Sequence, residues 1–500
     1  PTTWWAGIPC LYRKTDEFSI DGDLGDRRDS VEREKYPRIR KLLLLCVFCG
    51  AFFCWLTVTA ESALPPRFGG TLQGAIFQPV TTLDTVNYLN FAELHVASNL
   101  YEGLVKRDRF GRISPAITQD WTHSDDHRIW TFVIAQGMTF HNGKRVTATD
   151  VKLAWERFVR QSVWLVSPQP LLQIRGAEVC RSGTVTQIEG IRVLDDSRLQ
   201  VMLRAGDPNF LEKLTSPAAW VTTPGDSQPI GTGQFRLESF GRTEVRLTAN
   251  SDYLWGRPYL AELTFRYYAN LDEALFEFES GVLDALPLPI TEVERRQRKG
   301  LDDVLIRTDA ATLVYLRLPD KIEISNPSPA SPVPTWYNVL RYAVDPDALL
   351  RLQYGESPSK MVFVPSAFPY DRVKARRRMK HAGWRGTLNL VYTQLPDNTG
   401  NAIATWLKRD SLSQIGVRVE IKAADADNLR GEFSEDAPTL ALLSMPIAPD
   451  SDVSALEIGR SNYFIPLYLL PSSFLCQPKV RGLEIGSGGI LVFGGTWLAE

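Results

Sequence analysis

One apolar run sets the terms for the rest of this 500-residue chain. In "RIRKLLLLCVFCGAFFCWLTVTAESALPP" no charge interrupts residues 42 to 60; Arg38, Arg40 and Lys41 precede them and small residues follow. That order of charge, apolar core and small residues reads as an export signal, and its length also suits an uncleaved membrane anchor. Val58-Thr59-Ala60 and Ala60-Glu61-Ser62 are the candidate cleavage sites. Cys46, Cys49 and Cys54 lack the small-residue pair that a lipoprotein signal places before its cysteine, so lipid attachment is not expected. Residues 1–37 begin without methionine and carry mixed charge; the expectation is a non-native tail or a short cytoplasmic one.

The part that folds is therefore expected from about residue 64 onward, beyond a membrane. Its length suggests two or three domains, and a net charge of −2 gives no reason to expect nucleic acid. Of six cysteines only Cys180 and Cys476 lie beyond the run. A bridge between them is allowed in an oxidising compartment, but two cysteines so far apart carry no pairing information.

From Gly69 the pattern becomes short strands, polar turns and isolated helices. "GGTLQGAIF" alternates and runs into the loop "QPVTTLD". "HVASNLYEGLVKRD" reads as a helix with Val96, Leu100 and Leu104 on one face, and "DWTHSDDHRIWTFVI" as a hairpin in which Trp130, Phe132 and Ile134 alternate. In "GMTFHNGKRVTATDVKLAWERF" Thr147 and Asp150 form a capping box, and Val151, Ala154, Trp155 and Phe158 recur at helical spacing. Strands are expected again through "PIGTGQFRLESFGRTEVRLTAN" and "LAELTFRYYA", then a helix in "NLDEALFEFESG" capped by Asn270 and stopped by Gly281. The proline-rich "PDKIEISNPSPASPVP" is a loop or linker. Beyond it "WYNVLRYAVDPDALLRLQ", "DRVKARRRMKHAGW" and "NAIATWLKRDSLSQIGVRVEI" are helix-like and separated by strands such as "TLNLVYT", which suggests a second α/β lobe. "YFIPLYLLPSSFLCQPKVRGLEI" returns to strands that would rejoin the first.

Several stretches invite sharper readings. The Gly-Lys turn at 143–144 is not a P-loop, because five residues separate Gly137 from Gly143 and Arg145 stands where a magnesium-binding hydroxyl would be. His123 and His127 have a metal-like spacing, but they fall in the turn of a hairpin rather than on one helix face, so no metal is expected. "VKARRRMKH" and "ERRQRKG" read as solvated helix faces. Trp130, Trp155 and Trp255 are expected in the core. With no Gly-x-Ser-x-Gly elbow, no His-Glu-x-x-His and no workable Ser/His/Asp set among five histidines, neither an enzyme nor a cofactor is implied. Candidates to line a ligand are Thr81, Thr82 and Asp84 in the loop after the first strand, and Trp336, Tyr337 and Arg341 at the start of the second lobe.

The ordered set "YEGLV", "DWTHSDDHRIWTFVIAQGMTFHNGKRVTATDVKLAWERF", "PIGTGQFRLESF", "NSDYLWGRPYLAELTFRYY", "LRYAVDPDALL", "HAGW" and "IGVRVEI" resembles family 5 extracellular solute-binding proteins. These are the periplasmic receptors of dipeptide, oligopeptide and nickel ABC importers. The resemblance runs from about Gly69 to the C-terminus, and its specificity lies in the order of the pieces. It implies an α/β, two-lobed periplasmic-binding-protein fold (type II, cluster C-like) with mixed sheets and a hinge that closes on a solute. After a tail at 1–37 and a signal or anchor at 38–63, lobe I would span 64–311 with an extra subdomain, lobe II 312–446, and 447–500 would return to lobe I. Crossing strands would lie near 312–318 and 440–446. The implied partners are a peptide-like solute and the permease and ATPase subunits of an inner-membrane importer, with the receptor itself a periplasmic monomer.

One departure bears on the ligand. Peptide-binding members carry an Asp-Tyr pair before a Pro-Asp-Pro-like turn, and that aspartate receives the peptide's α-ammonium group. Here "LLSMPIAPDSDVSAL" has Ile447 and Ala448 at about that place. A buried cation without a countercharge is costly. Either Asp450 or Asp452 replaces the aspartate after a shift of register, or the solute is not a free peptide but an opine or a metal chelate. The same fold also serves as the effector domain of sugar-phosphate-stress transcription regulators, which carry a helix-turn-helix where this chain has its apolar run.

Overall fold

The computed structural model of the protein describes residues 65–499, with gaps at 88–89, 109–110, 162–169, 224–227, 290–291, 294, 297–298, 301–304, 319–334, 355–369, 383–385, 394–398, 425–428, 430–438, 448–463 and 486–489. The apolar run and its cleavage sites lie outside the described residues. Among those described, no helix is long and apolar enough to cross a membrane.

The first half holds β1 (Thr71–Ile76), helix α1 (Phe91–Leu100), the hairpin β2 (Thr118–His123) and β3 (Ile129–Ile134), and helix α2 (Ala148–Gln161). The pair β4 (Ile191–Val193) and β5 (Arg198–Met202) follows, then β6 (Phe235–Phe240), β7 (Glu244–Ala249), β8 (Glu262–Tyr267), helix α3 (Leu271–Glu279) and β9 (Ala285–Pro287). The second half holds β10 (Leu305–Arg317), helices α4 (Thr335–Ala343), α5 (Pro346–Tyr354) and α6 (Arg372–Ala382), β11 (Thr387–Tyr392), α7 (Gly400–Trp406), β12 (Arg418–Ala423), β13 (Thr439–Ile447) and β14 (Phe464–Cys476).

A ten-stranded mixed sheet in the order β12-β11-β13-β10-β14-β9-β1-β8-β7-β6 runs through both lobes. β1 lies parallel to β8, and β11 parallel to β12 and β13, as crossovers through helices require. In the middle, β10 pairs antiparallel with β13 and β14, and β14 pairs antiparallel with β9. The strand expected near 440–446 is thus β13, which neighbours β11 and β10; the strand that reaches the first lobe is β14. Ile465, Leu467 and Tyr468 of β14 join Val314, Leu316, Leu390 and Leu440 in the second lobe's core. Further along the same strand, Phe474 and Cys476 join Leu72, Leu94 and Phe235 in the first. Between Arg307 and Ala311 the ladder slips, so that residues 308–310 face one residue of β14. Pro466 and Pro471 of β14 add ladder positions that have no N–H to donate.

A separate four-stranded sheet, β2-β3-β5-β4, builds a third core with α2. Trp130, Phe132 and Ile134 alternate inward along β3, and Val151, Ala154, Trp155 and Phe158 are all buried, as the helical spacing demands. The cap forms: Thr147 N and Oγ1 donate to Asp150 Oδ2 (2.9 and 2.6 Å), and Asp150 N donates to Thr147 Oγ1 (3.3 Å). α3 likewise starts at Asn270, whose Oδ1 accepts from Glu273 N at 2.9 Å.

The recurring sequence pieces meet each other in space. Gly231 and Gly233 of "PIGTGQF" cross the C-terminal end of α1 so closely that a Cβ on Gly231 would stand 2.2 Å from the Leu100 carbonyl oxygen. Their carbonyls accept from His141 N and Nε2, both at 2.9 Å, which docks the "HNGK" turn on this crossing. Burial holds the His141 imidazole down at about 4, so it is neutral. Glu102 of "YEGLV" accepts from Tyr253 of "NSDYLWG" at 2.5 Å and from Lys106 at 3.2 Å.

Some expectations change. The helix expected over 95–108 is α1, which begins and ends earlier. Asn90 and Glu93 form a capping box at its start, and residues 105–107 instead pair with 113–115 as a small ribbon. Trp255 is 43 % exposed rather than in the core; its ring lies at the surface with Nε1 donating to the Ala116 carbonyl at 2.6 Å. Cys180 and Cys476 are free thiols buried in different cores. His123 ends β2 and His127 sits in the turn with φ 52°, their rings 4.5 Å apart against Trp130.

The last described segment is fastened to α1 by side chains. His95 Nδ1 accepts from Leu491 N (3.0 Å), Asn99 Oδ1 accepts from Phe493 N (3.2 Å), and Asn99 Nδ2 donates to the Leu491 carbonyl (3.4 Å). Phe91 and Phe474 meet the His95 ring edge-on at 4.5 and 5.7 Å. Burial in this apolar setting pushes the imidazole down to about 3, as Nδ1 must stay unprotonated to accept.

Two outcomes follow. Gly231→Ala should lower the stability by roughly 3 kcal/mol or more, through forced separation of two backbones, and urea unfolding measures it. Because His95 is depressed on folding, its contribution is full above the ordinary histidine pKa and is lost as pH falls toward about 3. His95→Asn keeps an acceptor that does not titrate, so the Tm advantage of the wild type should shrink from about pH 7.5 to about pH 4.5; a constant difference would refute the assignment.

Candidate functional site at the lobe junction

The lobes meet where α1 comes within 8 Å of β13, Cα to Cα. The loop after β1 leads into α1, and its conformation is set by one buried carboxylate. Glu93 Oε1 accepts from Thr81 N (2.7 Å), Thr81 Oγ1 (2.9 Å) and Thr82 N (3.0 Å), while Oε2 accepts from Asn90 N (2.8 Å). Glu93 N returns a bond to Asn90 Oδ1 at 2.9 Å, which completes the cap. Burial raises the Glu93 carboxyl to about 7, against the pull of the Thr81, Asn90 and Thr82 donors toward the anion.

Asp84 closes the other end of the loop. Its carboxylate is gripped by both terminal nitrogens of Arg157 on α2, with Nη1 2.9 Å from Oδ1 and Nη2 closing on Oδ2. A forked, partly buried pair of this kind fixes orientation as well as distance. It ties the third core to the first lobe's loop. Leu83 N donates to Gln228 Oε1 at 3.0 Å, which adds the segment before the glycine crossing.

Thr81, Thr82 and Asp84 are therefore brought together, held by Glu93 and Arg157. Arg341 stands elsewhere, on α4 of the second lobe, with its guanidinium carbon 5.0 Å from the centre of the Tyr342 ring. Trp336 and Tyr337 occupy the first turn of the same helix. Ile447 ends β13 opposite Ala311. Ala448, Asp450 and Asp452 lie outside the described residues. Sequence reasoning passed over Glu93 and Arg157, although Asn90-x-x-Glu93 is itself a capping-box signature.

Two cores bridged by one shared strand, β14, make a two-lobed architecture of the kind that closes on a solute. The profile described as bacterial extracellular solute-binding proteins, family 5 Middle, matches residues 112–457, and the chain belongs to this family. It is 24 % identical over 396 residues to the glutathione-binding protein GsiB of Salmonella typhimurium, covering 74 % of this chain and 73 % of that one. Against the oligopeptide-binding protein AppA of Bacillus subtilis the figures are 22 % over 473 residues, 85 % and 80 %. Among solved structures, Haemophilus influenzae OppA in complex with RPPGFSPFR superimposes with a TM-score of 0.68 at 15 % identity, over 87 % of this chain and all of that one. The Escherichia coli murein tripeptide binding protein MppA gives 0.65 at 18 %, over 87 % and 99 %. At these identities the structural likeness is one of fold.

Glu93→Gln should destabilise the protein by about 1–3 kcal/mol, because an amide cannot accept from Asn90 N while it accepts from the threonines. A raised carboxyl stabilises fully below its unfolded value of 4.5 and loses that contribution as pH rises through about 7. The cost of the substitution, read from urea midpoints, should accordingly be larger near pH 5 than near pH 8.

Proposed function

We propose that this protein is the periplasmic solute receptor of an ABC importer, taking a short peptide or peptide-like solute between its lobes and presenting the closed form to a membrane permease and its ATPase. The observation that carries this reading is one long strand, β14, with residues in two separate cores, and the slip at residues 308–310 in its ladder with β10. That is a geometry in which one lobe swings on the other. The receptor acts as an exported monomer and by binding, without turnover. The named relatives bind glutathione and oligopeptides, which supports a ligand with a peptide backbone.

In this reading the capped loop at Thr81, Thr82 and Asp84 is a rigid wall of the cleft. Trp336, Tyr337 and Arg341 belong to the lobe that closes, and Asp450 or Asp452 takes the ammonium group. The place of Ile447 and Ala448 favours, as a second reading, a solute without a peptide's primary α-ammonium group, an opine or a metal chelate.

Native mass spectrometry of the exported protein tests the ligand class. A co-purified short peptide supports the first reading, and a non-peptide mass replaces it with the second. Titration of the identified peptide into Asp450→Ala/Asp452→Ala should show affinity weakened by roughly thirtyfold or more, as expected for removing one member of a buried charge pair. Unchanged affinity would remove both aspartates from the site.

A further inference from the structure

The second lobe carries a charge that its own folding does not explain. Helix α6, "RVKARRRMKHA", has six Lys/Arg and one His but no acidic residue. Like charges recur one turn apart in Arg372/Arg376, Arg376/Lys380 and Lys374/Arg378, a spacing that weakens a helix. Arg372 and Lys374 also stand in the first turn, where the helix dipole disfavours cations. The cap offers partial relief: Asp371 Oδ1 accepts from Lys374 N at 2.8 Å.

The cations divide into two sets. Lys374 and Arg378 turn inward onto the buried Tyr342 ring of α4, with Nζ 4.1 Å and Cζ 4.9 Å from its centre. Together with buried Ala375 and Met379 they fasten α6 to the lobe. Arg372, Arg376, Arg377 and Lys380 are all exposed, and helical geometry places them on one face with Val373 among them. Val373 is 69 % exposed. Tyr370, also at the surface, precedes this face, with the Arg372 guanidinium 5.9 Å from its ring centre.

We propose that this outer face of α6 is a docking surface for an anionic phospholipid bilayer. Four cations on one helical face match a plane of phosphate headgroups, and each basic residue near such a surface adds to the attraction. An exposed valine and a tyrosine set among the cations favour lipid over an acidic protein surface, because apolar and aromatic groups gain by entering the headgroup region. The chain belongs to a family of extracellular receptors, for which a membrane surface is at hand and nucleic acid is not. The inference does not depend on the ligand class. It gives α6 the role of holding the receptor in the two-dimensional space of the bilayer.

The test is hydrogen exchange of the α6 amides in the full chain. Three probes are mixed with it separately: vesicles of one part phosphatidylglycerol to two parts phosphatidylcholine, vesicles of phosphatidylcholine alone, and soluble polyglutamate. A readout confined to α6 is independent of any insertion by residues 42–60. Phosphatidylglycerol vesicles should slow exchange by about threefold or more at low ionic strength, and the effect should vanish at ~0.5 M salt. R372Q/R376Q/R377Q/K380Q should abolish the effect while Tm is kept or raised, since like-charge pairs are removed. Val373→Asp should weaken it with the four cations intact. Absence of slowing, equal slowing by phosphatidylcholine, or slowing that survives the quadruple substitution would overturn the proposal. So would slowing by polyglutamate without any by vesicles, which would assign the face to an acidic protein.

Discussion

The structure depends on β14 being long enough to belong to two cores at once, with β10 paired along it. Each lobe closes its own hydrophobic cluster, and β14 supplies residues to both. A thirteen-residue antiparallel pair is stiff along its length, so the lobes keep a fixed axis. The slip at 308–310 and the two prolines remove ladder bonds from that axis. Bulges of this kind bend and twist a strand locally without unpairing what lies on either side. The hinge, on this view, is a weakened stretch of ordinary sheet, and the separation of the cores lets it move without unpacking either.

The first lobe is arranged around α1, which is pinned by polar groups at three places. Glu93 fixes its entry loop, the glycine crossing seals its C-terminal end, and His95 and Asn99 hold the chain's last described segment. Each pin buries polar atoms and pairs most of them, although His95 Nε2 and Thr232 Oγ1 find no partner; a paired buried network favours one arrangement. The arrangement also explains why three promising loop residues have structural work to do. Thr81 N and Oγ1 and Thr82 N donate to Glu93, and Asp84 is gripped by Arg157.

What was legible in the sequence was local. α2, the β2–β3 hairpin and α3 follow from caps and periods contained within about twenty residues, and the structure has them where the pattern puts them. α1 was displaced because the apolar period of Val96, Leu100 and Leu104 runs on past the residue where the glycine crossing and the 105–107 ribbon take over. Trp255 was misplaced because an indole can cap a surface with one hydrogen bond and still sit in a patterned segment. The identity of the bridging strand was beyond reach for another reason. β13 and β14 are both apolar and both pair with β10; what distinguishes them is the second partner, β11 for β13 and the distant β9 for β14. The site shared this limit, since Glu93 and Arg157 acquire meaning only through contacts with a loop.

The clasp formed by His95 and Asn99 has a consequence for how the molecule is made. Their partners lie 396 and 394 residues further along the chain. Synthesis runs from the N-terminus, and early segments ordinarily fold as they emerge. Here the first lobe lacks β14 and the 490–493 segment until 396 residues beyond His95 have been produced. Until then the core around α1 stays incomplete, and the clasp that locks it has nothing to close on.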